Sequence, residues 1–397
     1  KTLDCVRAMI KSKTFQKFDP SRVPSPCFVI DEVAVEKNLR VLQRVQRESG
    51  AKVLLALKAF SMFSLAPLFD RYLSGVCASG LFEARLGYTE FGGQVHTFCA
   101  AYKEDELPEI LSISDHVVFN SFSQWHRFQT IIQDAKHQRP ELQFGVRINP
   151  QHSEADVPMY DPCAEGSRLG IPKSEFAGEH LKGISGLHFH TLCEQDFEPL
   201  SRTLDVIEEN FADVLKKVEW VNFGGGHHIT RDDYPVDELI KRIVAFQEKH
   251  SVQVYLEPGE AAVLGAGVLV AEVLDLTYNQ MELAILDTSA TCHMPDILEM
   301  PYRPEIFRAA EKGQKTYSYR LGGQTCLAGD VMGDYSFEKP LQLGQRLMFD
   351  DMAHYSMVKT TTFNGIALPT IALWNSDTDQ IKIIKQFGYD DFKDRLS

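Results

Sequence analysis

Val53-Leu54-Leu55-Ala56-Leu57-Lys58-Ala59-Phe60 is the stretch on which the reading of this chain turns. Seven of its eight residues are apolar and the eighth is a lysine near its end. A short apolar run of this kind reads as a strand buried on both faces. An ammonium group at the end of such a strand is costly to desolvate. Burial lowers a lysine pKa, and the neutral amine is the form that condenses with a carbonyl. Lys58 is therefore a candidate Schiff-base lysine. The competing reading is a lysine that snorkels from a strand end into water, and the surrounding chain has to decide between them.

Outward from this run, short apolar stretches alternate with amphipathic ones. The stretches are 75–79, 95–100, 116–120, 144–149, 184–190, 220–224 and 252–257, which with the Lys58 run make eight. Segments 81–91, 123–136, 197–218 and 236–250 carry helical spacing, as does 32–47, where Val35, Leu39, Leu42 and Val45 recur on one face. Strands alternating with helices imply a parallel sheet. Eight units predict a closed (β/α)8 barrel over residues 33–265. An open doubly wound sheet is the alternative, but no GxGxxG follows the first strand. After Gly267 the texture changes to strands without long helices, at 268–278, 282–287, 346–349, 361–368 and 380–385. Residues 266–397, with 1–32 and an early strand at 26–31, are expected to form a second, mainly β domain.

Chemistry-bearing residues gather where the apolar runs end. Lys58 closes one, His190 another, Gly224-Gly225-Gly226 a third and Glu257 the last. A barrel places all four around one mouth, where barrel active sites sit. Three glycines let backbone N–H groups approach a phosphate, although a bare tight turn reads the same. A carboxylate at Glu257 can hold a heterocyclic nitrogen protonated; its alternative is a solvated strand-end glutamate. His190 could stack on a planar ring. His188 lies on the same side of the strand, where an ordinary core histidine would fit, and two histidines at i,i+2 without a third ligand give no zinc site. The loop Gly322-Gly-Gln-Thr-Cys326-Leu-Ala-Gly-Asp330 offers Cys326 as a proton donor and Asp330 as a substrate contact, or else an inert thiol in a surface loop. Tyr355 is a core tyrosine or a phosphate-binding hydroxyl.

Composition narrows the partners. The chain has 397 residues, 44% hydrophobic and 24% charged, with a formal net charge of −14. That charge disfavours nucleic acid and anionic membrane surfaces and is compatible with a cationic small molecule. Eight cysteines at irregular spacing, with no CxxC pair, suggest thiols in a reducing, cytoplasmic setting rather than a disulfide framework or zinc site. The charged segment 1–18 lacks the apolar core of a signal peptide.

Taken together these residues resemble the alanine-racemase-fold, pyridoxal-phosphate-dependent decarboxylases, the group that acts on ornithine, arginine and diaminopimelate. The resemblance runs from about residue 24 onward. It implies pyridoxal phosphate as cofactor, no metal, and a homodimer with shared active sites. It implies Lys58 as the lysine bound to the cofactor and His190 as the ring-stacking histidine. Gly224, Gly225, Gly226 and Tyr355 would bind phosphate, Glu257 would partner the ring nitrogen, and Cys326 would be donated by the other subunit. Four departures stand out. The arginine of the family's EPGR is Glu260, Cys193 stands where a serine is usual, and Leu327 replaces the acid after the loop cysteine. The arginine that grips a distal carboxylate has no counterpart in 295–302, which carries Asp296 and Glu299 instead. The combination HTLCE, GGGHH, EPGE, TCLAGD and MAHYSMVKTTTFNG is similar to the branch acting on carboxylated polyamines, whose distal ammonium groups would suit Glu260, Asp296 and Glu299. Within the decarboxylases, diaminopimelate or another basic amino acid is the runner-up substrate; a same-fold racemase, which releases no carbon dioxide, and a non-catalytic regulator, which would be expected to lose cofactor residues, are the rival readings from other classes.

Overall fold

The computed structural model describes residues 10–155, 161–179 and 181–397. Residues 1–9, with Cys5, lie outside them. The chain divides into two compact units, Asn38–Ala262 and a second made of the residues up to Lys37 with Val263–Ser397.

In chain order the first ten strands are β1 (Cys27–Asp31), β2 (Lys52–Ala56), β3 (Gly75–Ala78), β4 (Gln94–Phe98), β5 (His116–Phe119), β6 (Gln143–Asn149), β7 (Ile171–Pro172), β8 (Gly186–His188), β9 (Trp220–Asn222) and β10 (Gln253–Leu256). Eight of them form a closed parallel ring in the order β2-β3-β4-β5-β6-β8-β9-β10, sealed by the pairing of β10 with β2. This is the expected barrel, and each of its strands falls within or across the edge of an apolar run. The two-residue β7 adds to the end of β6.

The strands are apolar because helices cover their outer faces and the barrel packs its own interior. Val53, Leu54 and Leu55 are fully buried. Deep in the barrel, Trp220 stacks on His116, which stacks on His96, with Tyr255 against both imidazoles. The indole fits only because Gly145 and Gly186 face it: a Cβ on either would lie 2.5 Å or 2.0 Å from its ring. The helices follow the amphipathic pattern, and Val236–His250 has the expected bounds. The expected helix over 123–136 is two, Phe122–Arg127 and Gln129–Gln138, parted at Phe128. The one over 197–218 breaks at Phe211.

The second unit holds a nine-stranded mixed sheet. It contains β1, β11 (Gly267–Tyr278), β12 (Glu282–Leu286), β13 (Ala310–Glu311), β14 (Tyr317–Gly322), β15 (Val331–Phe337), β16 (Arg346–Asp350), β17 (Thr370–Asn375) and β18 (Gln380–Lys385). β1 lies between β11, antiparallel, and β17, parallel. Residues 361–368 are not the strand expected from their apolar content. Phe363–Gly365 is a 3-10 turn with Asn364 at φ 64°, and the strand begins after Pro369, at Thr370. The strands β14 and β15, which flank the loop of Cys326, are short and mix polar with apolar residues, and the sequence reading passes over them. Among the described residues no helix is long and apolar enough to cross a membrane.

Candidate active site

Four chain segments leave the C-terminal ends of neighbouring barrel strands and meet at one end of the barrel. β2 stops at Ala56, and the chain turns at once, with the N–H groups of Ala59 and Phe60 both bonded to the Ala56 carbonyl. Lys58 therefore stands on a turn beyond the strand, exposed, and not at a buried strand end. The desolvation expected for Lys58 is absent from this geometry; its surroundings are defined by charge. Glu257 and Glu83 both feel its ammonium group, as do His188 and His190.

Glu257 follows β10 by one residue and is held from two sides. Asn222 Nδ2 donates to Oε1 at 2.7 Å, and His188 Nε2 lies 3.0 Å from Oε2. Burial alone would raise this carboxyl, but His188, Asn222 and the Lys58 charge outweigh it and hold Glu257 below its ordinary value of 4.5. The stability tied to its ionised form is therefore present above about pH 4.5 and lost as pH falls through the lower, folded value. Burial pushes His188 below the ordinary imidazole value, against the pull of Glu257. With Oε2 a carboxylate oxygen, His188 Nε2 is the donor in this contact. Cys77 sits beside the same carboxylate and is raised by burial, so it stays a thiol.

His190 is set by backbone. Gly225 N–H donates to its Nδ1 at 3.1 Å, and its carbonyl accepts from Arg147 Nη2 at 3.0 Å. Burial, with Lys58 and Arg147 nearby, drives its pKa well below the ordinary value, so the ring is neutral with the proton on Nε2. Arg147 lies 4.8 Å above the Phe98 ring, and burial brings it down to about 10, still a cation at neutral pH.

The glycine turn threads between these segments. A Cβ at Gly224 would meet the Phe189 carbonyl at 2.5 Å, one at Gly225 the Glu257 carbonyl at 2.2 Å, and one at Gly226 the Leu192 carbonyl at 1.9 Å. Gly224 N–H bonds Asn222 Oδ1 and Gly225 N–H bonds His190 Nδ1, so two of the three amides expected to cradle a phosphate serve the frame of the site. Replacing Gly225 by alanine should drive Glu257 out of place and destabilise the fold by about 1–3 kcal/mol. Urea unfolding of the cofactor-free variant would measure it. Beyond the turn, His228 Nε2 lies 3.1 Å from Glu260 Oε1, which places Glu260 beside the glycine turn.

Cys326, Asp330, Asp296, Glu299 and Tyr355 belong to the second unit. Cys326 is exposed on the loop joining β14 to β15, its N–H bonded to Asn364 Oδ1 at 2.7 Å. Asp330 is buried, and its carboxylate accepts from Ser289 Oγ, Ala290 N–H and Thr325 Oγ1. Asp296 and Glu299 both pair with Lys359. Tyr355 is half-buried with φ at 54°.

Sequence reading did not single out Asn222 or Arg147, and it assigned His188 an ordinary core role. The signal for Asn222 was a polar residue in an otherwise apolar strand two positions before the glycines. For His188 it was the side-by-side placement with His190 on one strand.

An exposed amine on a turn, a carboxylate held ionised, a neutral imidazole and a glycine turn gather at the mouth of a parallel barrel. A family model described as pyridoxal-dependent decarboxylase, C-terminal sheet domain, matches residues 27–353, and the chain belongs to this family of pyridoxal-dependent decarboxylases. It is 43% identical over 378 residues to a carboxyaminopropylagmatine decarboxylase of Synechocystis sp., covering 95% of this chain and 96% of that one. It is 42% identical over 382 residues to a carboxynorspermidine/carboxyspermidine decarboxylase of Campylobacter jejuni, covering 94% and 98%. The crystal structure of carboxynorspermidine decarboxylase complexed with norspermidine from Campylobacter jejuni matches with a TM-score of 0.86 at 41% identity, over 94% of this chain and 100% of that one. Diaminopimelate decarboxylase from Helicobacter pylori, at 16% identity and a TM-score of 0.80 over 96% and 98%, shares the fold.

Proposed function

We propose that this protein removes the α-carboxylate of a carboxylated polyamine, carboxynorspermidine or carboxyspermidine, yielding norspermidine or spermidine in polyamine synthesis. The observation that carries the reading is the near-full-length identity of about two fifths to relatives named for carboxylated polyamines, on a barrel whose mouth keeps Lys58, His190 and an ionised Glu257. A substrate ending in a guanidinium group is the second reading, favoured by the Synechocystis relative.

The residues present fit pyridoxal phosphate: an exposed primary amine for its aldehyde, a carboxylate held without a proton for its ring nitrogen, and an imidazole for its face. When bound, the cofactor supplies the electron sink that lets carbon dioxide depart. Lys58 Nζ would hold the aldehyde and give it up to the substrate amine. Glu257 would accept a hydrogen bond from the ring N–H and keep that nitrogen protonated. His190, fixed by Gly225, would orient the ring. Gly226 and Tyr355 are assigned to the phosphate.

Cys326 is assigned as the proton donor to the carbon left behind, contributed by a second subunit of a homodimer; its exposure on a loop supports that role. Asp330, with its oxygens filled from within its own unit, is assigned to fixing that loop. Glu260, Asp296 and Glu299 are assigned to the distal amines, with a substrate ammonium exchanging for Lys359 at the latter two. A cytoplasmic setting belongs to the same reading.

Carbon dioxide release from carboxynorspermidine, carboxyspermidine, carboxyaminopropylagmatine, diaminopimelate, ornithine and arginine tests the proposal. The carboxylated polyamines should exceed the amino acids in kcat/KM by about 100-fold or more. A higher value for diaminopimelate, ornithine or arginine overturns it.

A further inference from the structure

The imidazole of His188 packs against the Glu257 carboxylate and donates to it from Nε2. Its side chain is 3% exposed and that of Glu257 14%, with 3.0 Å between Nε2 and Oε2. Its Nδ1 is buried with no hydrogen-bond partner among the described residues. Phe98 stacks on the ring at 5.4 Å, and the Arg147 guanidinium lies 4.8 Å from the centre of the Phe98 ring. A buried imidazolium here would carry an N–H with nowhere to donate, next to a guanidinium. The neutral Nε2–H tautomer satisfies the geometry and leaves Nδ1 as the silent nitrogen.

We infer that His188 is a positioning residue for Glu257: with Asn222 on the other oxygen, it fixes the carboxylate in its ionised form and in the orientation that receives a ring nitrogen. The inference rests on the proposed role of Glu257 and adds what enforces that role. Other groups act on the carboxylate as well: Lys58 from the turn after β2, Cys77 from β3 and Arg147 from β6. Lys58 is the exposed one, and Cys77 is a thiol. His188 is the one that donates to Oε2. The role also accounts for the pairing of two histidines on β8 and the residues just after it. His190 meets the cofactor side, and His188, one layer deeper, meets the carboxylate.

Two measurements on the cofactor-free protein test this without using activity. Nitrogen-15 NMR of the imidazoles should show His188 neutral at pH 7 with its proton on Nε2. Carboxyl carbon-13 NMR, assigned with Glu257→Gln, should show the Glu257 midpoint rising by about one pH unit in His188→Leu and returning most of the way in His188→Gln, whose amide restores an N–H donor. A cationic His188 or an Nδ1–H tautomer in the wild type overturns the inference, even if the leucine variant does not fold. So does an unchanged Glu257 midpoint in a folded His188→Leu. In the loaded enzyme, His188→Leu should lower kcat with little change in KM and move the acid limb of the kcat profile upward. Failure of the wild type to release carbon dioxide would sink the proposed function and leave the tautomer and titration results standing.

Discussion

Lys58→Ala is expected to abolish decarboxylation, with kcat down by about 10⁴-fold or more, because it removes the amine that we assign to bonding the aldehyde and to receiving it back at the end of each turnover. Borohydride treatment of the wild type supplied with pyridoxal phosphate should leave a stable label that maps to Lys58, and the variant should carry none. Lys58→Arg separates charge from nucleophilicity. A guanidinium keeps the positive charge that Glu257, Glu83 and the two histidines feel, yet stays protonated and cannot condense. It should therefore be as inactive as alanine while retaining more of the cofactor by simple attraction. A label on a different lysine, or an active arginine variant, would remove Lys58 from the reaction. Its position on a turn rather than at a buried strand end matters for this argument. An exposed amine can swing between the cofactor and solvent-accessible substrate, whereas one locked in the barrel wall could not.

The contrast between expectation and structure at Lys58 shows where sequence reading succeeds and where it stops. A strand buried on both faces leaves an apolar run of about its own length, so all eight barrel strands were legible from such runs, and the residues just beyond them marked the mouth. The last residue of a strand is set by where the next hydrogen bond fails. At β2 that is Ala56, whose carbonyl is taken by the turning chain, and no feature of Leu57 announces it. The second unit was less legible because β14 is half exposed and alternates in polarity over six residues, while β15 carries Gly333, Asp334 and Ser336 among its apolar residues, weak patterns beside helical or fully buried ones. Residues 361–368 misled because apolar content was read without Asn364 and Gly365, which both adopt positive φ there. Partnerships were the least legible feature. Nothing in EPGE says that Glu260 meets His228, and nothing in GGGHH says that its amides serve Asn222 and His190, because those contacts join residues that only the closed barrel brings side by side.

Glu257→Gln should keep the cofactor bound and slow decarboxylation by about 10³-fold. The substitution changes no volume, so the loss can be assigned to charge and to hydrogen-bond polarity. In the wild type both carboxylate oxygens accept, one from Asn222 Nδ2 and one from His188 Nε2. Glutamine offers one acceptor and one donor, so its amide nitrogen must confront either the Asn222 amide or the His188 N–H, and one of the two bonds is lost. A ring nitrogen facing the neutral amide would no longer be held protonated, and the electron pair left on the carbon when carbon dioxide departs would have a poorer sink. Cofactor content measured after gel filtration should therefore stay near the wild-type level while kcat collapses, and KM should move little. The pH dependence of stability gives a second reading of the same side chain. Glu257 is held below its ordinary value of 4.5, so the wild type should lose stability as pH falls through that lower range, and the glutamine variant should lack this component. Urea unfolding at pH 7 and pH 4 would show it as a gap between the two proteins that narrows in acid. Activity close to wild type in Glu257→Gln would mean that the ring nitrogen needs no anion here, and the assignment of this carboxylate as its partner would fall.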